Sequence, residues 1–187
     1  MIAYHITKKH YEEGEIYSVR DYDGESCYHR SLSEKQKRIN EIIDQCRPQN
    51  EPSRKMCFYA FENIDYCYGF VDSPIGYNLY QVEINTCTPR PMCLIDFLNR
   101  HIKLLQDLSY VYWDKNLSHE FNVKEYMGTE IRIIDRIDIP QNNTIHRMRL
   151  NMDYNHDKDV CCSICRRKGI KIDHSTCHLP LYTSILD

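Results

Sequence analysis

The sequence predicts an α+β fold: a split, mainly antiparallel sheet with flanking helices and a small C-terminal Cys/His appendage. Three observations lead there. Short apolar or alternating runs sit between turn residues, as strands do. Two longer segments carry apolar residues at helical spacing without alternating one for one with the strands, so no regular parallel α/β sheet is expected. Cys and His concentrate after residue 160.

In chain order, Met1 to Thr7 reads as a short strand. Residues 8–32 are polar, carry Gly14, Gly24 and several Tyr, and read as a long functional loop. Ser33 with Gln36 three residues on is a capping-box pattern, and Ile39, Ile42, Ile43 and Cys46 then mark one helical face. Pro48 forces the chain out of helix at Arg47. The run from Met56 to Phe61 is a buried strand, and Asn63 to Phe70 a short helix. Tyr77 to Ile84 alternates as a half-buried strand does. After Pro89 and Pro91, one helix is expected with Leu94, Phe97, Leu98, Ile102, Leu105 and Leu108 on a wide apolar face. Phe121 to Met127 and Ile131 to Ile139 read as strands around Gly128, and Pro140 stops the second.

Composition narrows the function class. The chain has 187 residues, 42% of them apolar, and a net charge of −3. That suits one domain with an appendage and carries no basic surface for phosphate backbones. The start lacks a basic and apolar leader, and no apolar run reaches membrane length, so no membrane partner is expected. Ten Cys without an export signal point to reduced thiols and a cytoplasmic, intracellular setting, the host cytoplasm for a viral or effector protein. Cys46, Cys57, Cys67, Cys87 and Cys93 read as packing residues.

Residues 1–140 therefore form the main domain, 141–160 a polar linker, and 161–187 a zinc-binding appendage. Two residues separate Cys162 from Cys165, and two separate His174 from Cys177, and Gly169 allows a turn between the pairs. Two such pairs can converge on one tetrahedral zinc, a structural ion because four protein ligands leave no open position. Cys161 and His178 are rival ligands; a disulfide or unligated thiols are the other readings.

Three segments carry a resemblance: Tyr4-His5-Ile6-Thr7; then Pro52-Ser53-Arg54 with Phe58-Tyr59-Ala60-Phe61 and the helix to Phe70; then Lys124-Glu125-Tyr126-Met127. In this order, over residues 1–140, they resemble the ADP-ribosyltransferase superfamily, in its histidine–tyrosine–glutamate clade and bacterial or viral relatives. The resemblance implies a transferase that uses NAD as substrate and moves ADP-ribose to a protein or nucleic-acid acceptor. It implies catalytic roles for Glu125, His5 and Tyr59, and NAD contacts from His5, Thr7, Arg54, Tyr68 and Phe70. His5 would donate to the ribose, Arg54 would pair with the pyrophosphate through its planar fork, and an aromatic ring would stack on nicotinamide. Glu125 would stabilise the oxocarbenium-like charge that forms as the glycosidic bond breaks. Tyr59, Tyr66, Tyr68 and Phe70 compete for the stacking role, and Glu130 across the Gly128 turn competes with Glu125. Two other functions remain open: a non-catalytic zinc-stapled binding module, and an RNA 2′-phosphotransferase using Arg20, Arg30 and Arg54.

Overall fold

A computed structural model describes residues 1–22, 26–71, 73–86 and 88–171. The elements in order are β1 (Ile2–Thr7), β2 (Ile16–Ser18), α1 (Cys27–Ser31), α2 (Glu34–Gln45), β3 (Phe58–Phe61), α3 (Ile64–Phe70), β4 (Asn78–Ile84), β5 (Pro89–Pro91), α4 (Cys93–Arg100), α5 (Leu105–Trp113), β6 (Lys124–Gly128), β7 (Glu130–Ile137) and α6 (Thr144–Arg167). The seven strands form one sheet in the order β2-β7-β4-β1-β3-β6-β5, and every neighbouring pair is antiparallel.

Strand alternation divides the sheet's side chains between two faces. On one, Phe61, Leu79, Val123 and Met127 pack with the helices into the larger core. On the other, Ala3, Phe58, Tyr80, Val82, Tyr126 and Ile133 are covered by Tyr11 and Val19 from the segment between β1 and α1. That segment, expected as loop throughout, holds the edge strand β2 paired with β7. Its polar sequence hides the strand because β2 is only three residues long.

The capping box at α2 is present: the Ser33 side chain accepts from the Gln36 N–H, and the Ser33 N–H donates to Gln36 Oε1. Such a cap is worth about 1 kcal/mol. Cys46 ends this helix as its C-cap and is exposed, contrary to its expected packing role. Cys57, Cys67 and Cys93 are buried as expected, and Cys87 lies outside the described residues.

The single helix expected from Leu94 to Leu108 is instead two. The chain breaks at His101, whose ring packs 4.6 Å from that of Phe97. The break lets α4 pack on α6 while α5 packs on α2, so one apolar stripe serves two neighbours.

The expected linker is the larger correction. Residues from Thr144 onward form the 24-residue α6, which packs against α3 and α4 and continues through Cys161, Cys162 and Cys165. Its buried face runs Leu150, Tyr154, Asp157, Lys158, Cys161, Cys165. Asp157 and Lys158 interrupt the apolar periodicity that would have marked a helix. Asp157 is fully buried and accepts the backbone N–H groups of Asn122 and Val123 at 2.7 and 2.8 Å, tying α6 to the entrance of β6. The close approach of α3 to α6 depends on Gly69, where a Cβ would lie 2.7 Å from the His146 carbonyl oxygen. No described helix is long and apolar enough to cross a membrane.

Candidate functional site

The sheet is nearly divided at its centre. Among the described residues the only backbone partners between β1 and β3 are Tyr4 and Phe61, whereas β1 pairs with β4 over six positions and β3 with β6 over four. Beyond that one pair the strands part, and a cleft of about 380 Å³ opens between them. His5, Thr7, Lys8 and Lys9 line one wall, Phe58, Tyr59 and Phe61 the other, with Phe70, Tyr28, Tyr77, Met92 and Glu125 around them. Alternation puts His5 on the same face as Ala3, and Glu125 on the same face as Met127. The cleft lies where β1 ends at Thr7 and β3 begins at Phe58, and there it is lined by residues of both faces.

His5 is 8% exposed, among the rings of Tyr11 and Phe58. Its Nδ1 lies 2.7 Å from the Tyr59 carbonyl oxygen. A carbonyl only accepts, so Nδ1 carries the proton and donates. Burial is the main influence on the imidazole and pushes its pKa below the usual 6.5, with the Tyr59 hydrogen bond opposing. The neutral ring then presents Nε2 as an acceptor, and that atom is buried without a hydrogen-bond partner among the described residues. His5 is expected as a donor, whereas the nitrogen it leaves for a ligand is an acceptor.

Glu125 comes from β6, opposite Phe61 on β3 and Arg90 on β5, and is 5% exposed. Its Oε1 accepts from Arg54 Nη1 at 2.5 Å and from the Tyr112 hydroxyl at 2.5 Å. Arg54 is 1% exposed and heads a short turn whose backbone N–H is held by Asp44 of α2. Its Nε donates to Asn40 Oδ1 at 2.7 Å, and its Nη1 also bonds the Tyr112 hydroxyl. Burial alone would lower the guanidinium's pKa; the Glu125 charge and the neighbouring tyrosines outweigh it and hold it above its ordinary value. Arg54, expected at the pyrophosphate, is held in an internal ion pair and does not line the cleft. Lys8, exposed, and Lys9, half-buried, are the cations at the cleft wall.

Of the expected NAD contacts, His5, Thr7, Tyr59, Phe70 and Glu125 share the cleft. Tyr68 does not line it; its ring packs 5.0 Å from that of His146 on α6. Tyr66, the other competitor, donates to Asp153 of α6. Glu130 is exposed on β7 beside Ser18 of β2 and lines no part of the cleft. Arg20 and Arg30 are exposed and also lie off it, so with Arg54 they build no phosphate cradle there. Sequence reasoning missed Tyr112, Tyr28 and Lys8. Tyr112 lies past Leu108, the last residue expected on the apolar helix face, and no local pattern marks it.

At the C-terminus, Cys162 and Cys165 are one helical turn apart on α6, 2% and 0% exposed. Cys161 lies with its Sγ 3.9 Å from that of Cys93. His174, Cys177 and His178 fall outside the described residues, and among the described ones no group of three or more His, Cys, Asp or Glu could hold a metal. No protein-family model, no curated protein and no solved structure matches the chain.

Proposed function

We propose that the chain is an NAD-dependent transferase that moves ADP-ribose to a protein or nucleic-acid acceptor. One observation carries this reading. The parting of β1 from β3 gathers His5, Thr7, Tyr59, Phe70 and Glu125, residues far apart in sequence, around one cleft of about 380 Å³. A mostly apolar cleft with a few fixed polar groups suits a planar ring joined to a sugar.

In this reading Tyr59 and Phe70 offer ring faces to nicotinamide. His5 Nε2 accepts from a ribose hydroxyl, and Lys8 and Lys9 meet the pyrophosphate. Glu125 lies beside the carbon that becomes oxocarbenium-like as the glycosidic bond lengthens. The electron pair of that bond leaves with nicotinamide, and the acceptor's lone pair takes its place while its proton is released.

The test is nicotinamide release from NAD, with and without a cell lysate as the source of acceptors. Thermal stabilisation by NAD together with release is the expected result. A second reading, a non-catalytic binding module stapled by zinc, is favoured by the Arg54–Glu125 pair, which neutralises the carboxylate. Stabilisation by NAD with no release under any acceptor condition would favour that module. Absence of both binding and release would overturn the NAD reading.

A further inference from the structure

We infer that Tyr112 and Arg54 are positioning residues, which clamp Oε1 of Glu125 and leave Oε2 as the oxygen that meets the substrate. This rests on the transferase reading.

Both hydrogen bonds that Glu125 accepts end on Oε1. Oε2 has no hydrogen-bond partner among the described residues and is not one of the sealed, unsatisfied atoms, so it keeps some open surface. Arginine–carboxylate pairs are frequently bidentate, with two parallel bonds. Here the fork is split: Nη1 goes to Glu125 and Nε to Asn40.

The two donors are themselves fixed. Asp44 holds the Arg54 backbone, and Asn40 holds its side chain. Tyr112 is fully buried near the end of α5, where the next residue, Trp113, donates its indole N–H to the Ile43 carbonyl at 2.7 Å. Such groups hold the carboxylate without reorganising during a reaction. Burial, opposed mainly by the Arg54 charge, raises the Tyr112 pKa well above its ordinary value, so the hydroxyl stays a donor at neutral pH. With Oε1 neutralised, Glu125 acts through the lone pairs of Oε2, accepting from a substrate or acceptor hydroxyl.

The experiment compares nicotinamide release by wild type, Tyr112→Phe, Arg54→Lys, Glu125→Gln and the double variant Tyr112→Phe/Glu125→Gln, with melting curves on the same samples. Tyr112→Phe removes one oxygen and keeps the ring's shape. It should lower kcat about tenfold while KM for NAD moves by less than about twofold, because the carboxylate is misplaced at the transition state rather than in binding. The double variant should be no slower than Glu125→Gln alone, since a residue acting through Glu125 has nothing left to lose. If Tyr112→Phe proves unfolded, Arg54→Lys carries the same kcat and KM comparison. A folded Tyr112→Phe with wild-type kcat, a change confined to KM, or additive losses in the double variant would overturn the inference and leave the transferase reading standing. A wild type that releases no nicotinamide removes that reading and this inference with it.

Discussion

Tyr4 of β1 and Phe61 of β3 are, among the described residues, the one registered backbone pair between the two halves of the sheet. The cleft assigned to NAD lies beside that connection. His5 and Glu125 belong to opposite faces of the sheet, and the cleft beside this pair is lined by both.

Glu125→Gln should slow nicotinamide release roughly a hundredfold or more, the scale of losing a main electrostatic stabiliser. Arg54 and Tyr112 both donate, so they select the new amide's oxygen for the Oε1 position. The amide NH2 then stands where Oε2 was, a donor in place of an acceptor. NAD binding should stay close to wild type. Folding should also weaken, by up to about 3–5 kcal/mol, because Arg54 is left as a buried charge without its counterion. Rates and melting curves on one preparation separate the two effects. Normal turnover would remove Glu125 from the mechanism.

His5 should make stability fall on acidification. Burial chiefly sets its folded pKa below the unfolded 6.5, so below that value the unfolded chain binds the extra proton and the folded chain resists it. The contribution of neutral His5 is intact above 6.5 and is lost as pH falls from there toward the folded pKa. His5→Gln removes the titration. Urea midpoints at about pH 7.5 and 5.5 should therefore drop more in wild type than in the variant. Parallel drops would mean that His5 charges as easily folded as unfolded. His5→Ala should in addition weaken NAD binding through loss of the Nε2 acceptor.

Asp157→Ala should destabilise the fold by roughly 1–3 kcal/mol for each donor left unpaired, here the N–H groups of Asn122 and Val123. Asp157→Asn keeps an acceptor oxygen while removing a charge that burial disfavours, and should cost less. Chemical denaturation of both variants measures the order. An alanine variant as stable as wild type would show that α6 does not hold β6 in place.

Protein purified without chelator should carry about one zinc, held by Cys162, Cys165, His174 and Cys177, as a four-ligand structural centre requires. Cys162→Ser with Cys165→Ser should abolish it. Both thiols are buried in α6, so the substitutions weaken packing with or without metal. Metal content is therefore the deciding measurement. Zinc unchanged in the double variant would move the site elsewhere, and zinc absent from wild type would leave these residues as core.

The α+β class, the α2 cap and the strands β1, β3, β4, β6 and β7 are legible in the amino-acid order alone, as are several residues that share the cleft. These rest on local physics, since capping, alternation and turn residues act over a few positions. The sequence did not reveal β2, whose pairing with β7 supplies what its three residues lack. Nor did it reveal α6, because Asp157 and Lys158 occupy its buried face, and the Asn122 and Val123 amides across the fold, with the adjacent His156 ring, make Asp157 tolerable there. The fate of Arg54 was decided in the same way. Its sequence neighbourhood offered it to a ligand's phosphates, but the fold brings Glu125 and Tyr112 to it from 71 and 58 residues away. A buried charge takes the nearest opposite charge that the packing supplies, and only the tertiary structure sets which one that is.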